Sequence, residues 1–168
     1  MGRTIPSFRI AAVIEEEKWR LFRKYLRNMH EKKLFTHMFS IANFYNSACS
    51  NAVNPIRIHP NIMSIIFHHY KMIKERTYFR GLDNSSNEDN NDIYDYNNNH
   101  STILNQELDK WYNFSFVLRK PNRILFEEML QSSYKYSNSI DVKGENYSTE
   151  SLLMSLIFEQ DKMFLSSK

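Results

Sequence analysis

A chain of 168 residues and 20.2 kDa, 42% hydrophobic and 14% aromatic, carries ample material for a packed core, which excludes wholesale disorder. Three glycines and four prolines are too few for the turns of a many-stranded sandwich or barrel, so helices joined by polar loops are expected. The net charge of +3 conceals an asymmetry: residues 1–80 hold 14 Lys/Arg against 5 Asp/Glu, residues 81–110 hold 1 against 7, and residues 111–168 hold 7 of each.

The predicted elements begin after an arm, "GRTIPSFR" (Gly2–Arg9), with Pro6 at a helix start. Helix one is expected over Ser7–Asn28. Trp19, Phe22, Leu26 and Met29 recur at three- and four-residue steps and form its inward face. Arg20, Arg23, Lys24 and Arg27 fall together on the opposite face, and Lys32 and Lys33 come soon after. Glu16 stands four residues before Arg20, where the two can pair. Helix two is expected over Glu31–Ser47, with Leu34, Phe35, Met38, Ala42 and Tyr45 inward. "NPIRIHP" then breaks the chain, and helix three is expected over Pro60–Thr77, with Pro60 in the first helical position. It is apolar on more than one side through "IMSIIF", which predicts the central helix of its unit.

"DNSSNEDNNDIYDYNNN" (Asp83–Asn99) has five acids, no base and seven asparagines, and reads as part of an acidic flexible linker over residues 81–99. Beyond it the sequence repeats itself. Met63, Ser64, Ile66, Phe67, Lys71 and Met72 recur 91 positions later as Met154, Ser155, Ile157, Phe158, Lys162 and Met163. Phe35, Met38 and Tyr45 recur at the same offset as Phe126, Met129 and Tyr136. Glu15, Lys18, Trp19, Phe22, Leu26 and Arg27 recur 92 positions later as Glu107, Lys110, Trp111, Phe114, Leu118 and Arg119. The fold class expected is therefore all-α: a basic three-helix unit over 1–80 and a similar unit over 100–168 from internal duplication. Packing of the two about an approximate two-fold axis is one arrangement, and two separate units on a linker is the other. In the second unit Ser148 or Thr149 is placed to cap the third helix, where the first unit has a proline.

Chemical motifs are sparse. Cys49 is the only cysteine, so no internal disulfide or four-thiolate zinc site can form, and a small buried residue in a reducing compartment is expected. His68 and His69 are adjacent and point about 100° apart on a helix, which rules out chelation as an i, i+4 pair. Ser64 and Ser155 lie within helices with no glycine elbow, as small residues permitting close helix approach. No nucleotide-binding glycine loop or pair of catalytic carboxylates stands out, so no catalytic residue, metal or cofactor is assigned. The longest apolar stretch, about Ile62–Phe67, is far short of the ~20 residues a spanning helix requires. The amino terminus has no apolar signal core, and Pro6 stands where a myristoylation pattern wants Ser or Thr. A cytoplasmic protein with no membrane partner is expected.

Charge is the one strong functional asymmetry. A basic first unit attracts polyanions, because neutralising phosphates releases their condensed counterions. The nucleic-acid contacts assigned on this ground are Arg3, Arg9, Arg20, Arg23, Lys24, Arg27, Lys32 and Lys33, with Arg3 on an arm of the kind that enters a minor groove. The second unit replaces Arg20, Arg23 and Lys24 with Tyr112, Ser115 and Phe116, so the basic face belongs to the first alone. The reading is a non-enzymatic helical binding protein that contacts nucleic acid. The alternative is a protein–protein adaptor whose basic face is merely solvated; self-association is neither required nor excluded.

"GRTIPSFR", "KWRLFRKYLR" and "HPNIMSIIFHHYK" together resemble a family of small archaeal proteins. These open with Gly-Arg-Thr-x-Pro-Ser/Thr-Phe/Tyr-Arg, continue through a Trp-x-x-Phe-Arg-x-x-Leu-Arg helix and end in a Met-Ser-containing helix. The resemblance covers residues 2–75, is weak over 100–168, and implies an architecture and a source without an activity or site residues.

Overall fold

Asn28 divides the first expected helix from the second, and the division falls earlier than periodicity suggests. The computed structural model describes residues 7–52, 54–83 and 102–166, and every regular element in them is helical. Helix one is two pieces, α1 (Phe8–Lys18) and α2 (Arg20–Tyr25), separated at Trp19 with φ −88° and ψ 3°. Leu26 turns extended, with ψ 144°, and ends α2. The Asn28 side chain then accepts a hydrogen bond from the Glu31 N–H at 2.8 Å, while Glu31 accepts one from the Arg27 N–H at 2.8 Å. This reciprocal cap satisfies amide groups that a helix start leaves open, so α3 begins at Met29 and runs to Phe44.

Tyr45 interrupts the helical path, and the short α4 (Asn46–Asn51) comes next. The long α5 (Ile58–Asp83) starts before Pro60, whose missing N–H costs nothing in a first turn. It also outruns the expected end at Thr77, so residues 81–83 are helical; the remainder of the acidic stretch lies outside the described residues.

The second half comprises α6 (Thr102–Phe116), α7 (Lys120–Gln131), a 3₁₀ turn at Ser132–Tyr136, α8 (Ser137–Lys143), a 3₁₀ turn at Glu145–Tyr147 and α9 (Ser148–Ser166). Gly144 joins α8 to the second 3₁₀ turn at φ +85°. A Cβ there would meet no atom within 4 Å, so glycine is required by conformation and not by space.

One hydrophobic cluster draws on both sides of the acidic stretch. It includes Ile41, Met63, Phe67 and Tyr70 from the first half and Leu104, Trp111, Phe114, Phe126 and Leu156 from the second. Phe126 is its hub, stacked on Phe114 at 4.8 Å and edge-on to Phe67 at 5.2 Å between ring centroids. Burying a side chain of this class contributes about 1.5–3 kcal/mol relative to leaving it in water. Polar contacts pin the same seam: Gln160 donates to the Ile66 carbonyl at 2.8 Å, and Tyr70 and Lys74 both reach Glu128, at 3.2 and 2.6 Å. Met63 through Phe67 are all buried, which makes α5 the central helix that its two-sided apolar pattern implied.

The inward face expected for helix one is corrected. α2 has no buried residue; Trp19 is 39% and Phe22 53% exposed, whereas their counterparts Trp111 and Phe114 are 1% and 0% exposed. Leu34 and Met38 of α3 are likewise exposed, and only the carboxyl-terminal part of that helix, through Ile41 and Ala42, reaches the core. The physical cause is the pair of breaks at Trp19 and Leu26. They leave α2 too short to span the core, resting on the solvent-facing half of α3.

Candidate functional site

The cations assigned from sequence are distributed unevenly. Arg3 lies outside the described residues, and Arg9 is exposed in the first turn of α1. Arg20, Arg23 and Lys24 do share α2. Arg27 does not: the extended Leu26 takes it off the helix, so the four cations form no continuous helical stripe. Lys33 is exposed and Lys32 half-buried at the start of α3. Residues 20–33 hold six Lys/Arg and one Glu.

Each side chain has its own degree of constraint. Arg20 pairs with Glu17, not Glu16, at 2.7 Å, because the break at Trp19 shifts the facing position. Both partners are largely exposed, so the pair contributes about 0–1 kcal/mol and is weakened by salt. Arg23 donates to the Thr36 hydroxyl at 3.3 Å, and Thr36 donates to the Lys32 carbonyl at 3.0 Å, tying α2 to α3. Among the described residues, Lys24, Arg27, Lys32 and Lys33 have no acidic partner within ion-pair distance.

Aromatic rings run between these cations. Trp19 meets Phe22 edge-on at 5.9 Å, Phe22 meets Phe35 at 5.2 Å, and Phe35 meets Phe39 at 5.3 Å. Tyr25 is 81% and Met29 68% exposed, at the end of α2 and the start of α3. Glu16 and Glu17 close it on the α1 side, where they line a small cleft of about 210 Å³ with Val13, Arg20, Arg23 and Phe35. This positive, ring-bearing region is built from Trp19, α2 and α3.

Two further clusters are not among the sites assigned from sequence. Glu107 is wholly buried, yet it accepts hydrogen bonds from Lys110 at 2.7 Å, Trp111 at 3.1 Å, Ser148 at 2.8 Å and Thr149 at 2.7 Å. Burial alone would raise its pKa, but the bonds from Lys110, Thr149 and Ser148 outweigh burial and hold the carboxyl below its ordinary value. Ser148 and Thr149, expected as caps for α9, donate their hydroxyls to this carboxylate, fastening the start of α9 to α6. The signal was present in sequence as Glu-x-x-Lys-Trp, written twice, and Glu15 repeats the ion pair with Lys18 at 2.8 Å.

The second such feature is a cleft of about 450 Å³ where α4 and α5 meet the turn between α6 and α7. Its polar lining is Tyr45, Ser47, His68, Lys71, Arg119 and Asn122. Burial, then the charges of Lys71 and His37, lower the His68 pKa against a smaller opposing effect of Glu75, so its imidazole is neutral at neutral pH.

The remaining motif residues are structural in their contacts. Cys49 is buried with its thiol 3.4 Å from the Pro60 carbonyl oxygen, and burial pushes it up to about 12, far from a thiolate at neutral pH. Ser64 and Ser155 each donate to a carbonyl three residues back, both at 2.7 Å. No group of three or more His, Cys, Asp or Glu able to hold a metal occurs among the described residues. Nor is any described helix long and apolar enough to cross a membrane.

A family model, described as a domain of unknown function (DUF8156), matches residues 1–98, more than half of the chain. The chain belongs to the DUF8156 family. The DUF8156 match spans α1 to α5 together with all but the last residue of the acidic stretch, and contains the three motifs at Gly2–Arg9, Lys18–Arg27 and His59–Lys71. It stops before α6, so the basic face lies within the DUF8156 region while Glu107 and Arg119 lie beyond it. No curated protein and no solved structure matches the chain.

Proposed function

We propose that this protein is a non-enzymatic binding module whose α2–α3 surface contacts nucleic acid. The observation that carries the reading is the interleaving on one surface of lightly constrained cations with exposed rings. Arg20, Arg23, Lys24, Lys32 and Lys33 supply charge for phosphates, and Trp19, Phe22 and Tyr25 supply faces on which bases stack. The two-copy reading supports it as well. Matched residues make matched bonds, Glu15–Lys18 with Glu107–Lys110 and Ser64 with Ser155, while the cations of α2 have no counterparts in α6. One copy is specialised for contact and the other completes the core.

Fluorescence anisotropy of labelled DNA and RNA tests this at about 50 and about 200 mM salt. Roughly four phosphate contacts would weaken binding on the order of 100-fold across that range. Reversing Arg20, Arg23 and Lys24 to Glu should abolish binding with the helical circular dichroism unchanged. Undiminished affinity in that variant sinks the reading.

A second reading, an adaptor that docks a protein, draws on one specific observation. Ile10, Val13 and Ile14 of α1 and Leu21 of α2 are each about half exposed or more, beside the aromatic ladder. Retention of a binding partner by the charge-reversed protein, lost instead with Val13→Asp, would favour it.

A further inference from the structure

Tyr45, His68 and Lys71 recur 91 positions later as Tyr136, Glu159 and Lys162, and the two trios are satisfied in different ways. In the second half Glu159 is buried and its carboxylate is surrounded by donors. It accepts from the Tyr136 hydroxyl at 2.6 Å and from Lys135 at 2.7 Å, with the Lys162 ammonium 3.5 Å away. The anion at this position is part of the chain.

In the first half the carboxylate is exchanged for the imidazole of His68, whose Nδ1 lies 3.3 Å from the Tyr45 hydroxyl. Lys135 is exchanged for Phe44. Among the described residues the acidic partner of Lys71 is Glu75, one turn along α5 and 3.8 Å away, at the limit of ion-pair contact. A second cation comes from the other half of the molecule: Arg119, at the start of α7, lines the same cleft and has no acidic partner among the described residues. The donors are of the same kinds as at the Glu159 site, a tyrosine hydroxyl and two cations, and they line an open cleft of about 450 Å³.

We propose that this cleft binds a small organic carboxylic acid, with its carboxylate held between Lys71 and Arg119 beside the Tyr45 hydroxyl. Arg119 offers the planar fork that matches a carboxylate, and Lys71 offers a point charge. Ser47 and Asn122 add hydrogen-bonding groups. Phe44, 79% exposed, and Val117, 42% exposed, form an apolar rim for the organic body. The carboxylate of Glu75, 3.8 Å from the Lys71 ammonium, disfavours a ligand with much additional negative charge and so favours a monoacid over a phosphate ester. The site is independent of the α2–α3 surface and of any nucleic acid.

The test is a heteronuclear NMR titration of the full chain with benzoate, with inorganic phosphate in parallel. Benzoate should shift the amides of Ser47, His68 and Asn122 to saturation at millimolar concentration. Arg119→Ala, at an exposed position, should weaken that binding about tenfold or more without altering the melting temperature. His68→Glu should abolish binding and raise the melting temperature, because it restores an internal carboxylate between the same donors. Absence of saturable shifts at these residues overturns the proposal. So does binding that persists undiminished in both variants, or saturation by phosphate but not benzoate.

Discussion

The same Glu-x-x-Lys-Trp-x-x-Phe pattern ends in water in one half of this molecule and in the core in the other. Trp111 and Phe114 are sealed inside, with the Trp111 N–H given to a buried Glu107; Trp19 and Phe22 stand at the surface beside arginines. The difference lies in the path of the chain after each tryptophan. α6 continues unbroken to Phe116 and is clasped at Glu107 by the first residues of α9. In the first half the helix breaks at Trp19 and again at Leu26, and the corresponding start of α5 carries no hydroxyl pair to hold Glu15. An amphipathic stripe is a requirement that something cover it, and among the described residues only one of the two stripes is fully covered.

The sharpest way to break that comparison is to truncate both tryptophans. Trp111→Ala should cost about 3–5 kcal/mol, and Trp19→Ala less than about 1 kcal/mol, in urea melts of the two variants. Equal losses would mean that the α2 face is packed in solution. The two glutamates should separate similarly. Glu107→Ala leaves two hydroxyls and an indole N–H without their acceptor and should cost about 3–5 kcal/mol, against about 1 kcal/mol or less for Glu15→Ala with its single, largely exposed lysine.

Methionine repeats the contrast at lower amplitude. Met129, 1% exposed, should cost about 2–5 kcal/mol on truncation to Ala, and Met38, 38% exposed, well under that.

Acid should act on the second half first. Glu107 and Glu159 both have folded-state pKa values held below the ordinary glutamate range, Glu159 chiefly by its bonds to Lys135 and Tyr136 working against burial. Such groups bind fewer protons folded than unfolded. Their stabilisation is therefore present above the unfolded glutamate value of about 4.3 and is lost as pH falls through the folded values. Melting temperature should drop on acidification below that point, and Glu107→Gln should flatten the dependence. The smallest effect on stability is expected from reversing Arg20, Arg23 and Lys24, within about 0.5 kcal/mol per site, because none of the three is buried; their role is read in binding alone.

Much of the fold was legible because local chemistry agrees with it. Scarce glycine and three- and four-residue apolar spacing gave the helical class, and the two-sided apolar run at Met63–Phe67 marked the central helix correctly. Helix boundaries were less legible. The reciprocal bonds of Asn28 and Glu31 start α3 two residues before the expected position, and nothing in the periodicity around Trp19 announces a break. Of the candidate contacts, Arg20, Arg23 and Lys24 do share one helix, whereas Arg27 was misplaced because a helical projection carries a residue onward past an extended one.

By itself the sequence determined that the chain is helical, that its positive charge is concentrated before residue 81, and that a Glu-Lys-Trp helix and a Met-Ser helix are each written twice. The first two derive from composition, from the placement of charge and from spacings within one helix, and the third from matches 91 and 92 positions apart. Tertiary structure alone decided which tryptophan is inside, which carboxylate is clasped by a distant helix, and that Arg119 and Lys71 line one cleft. Burial and charge pairing depend on which surfaces meet, and residues 48 positions apart in the chain acquire a shared environment only when the core between them has formed.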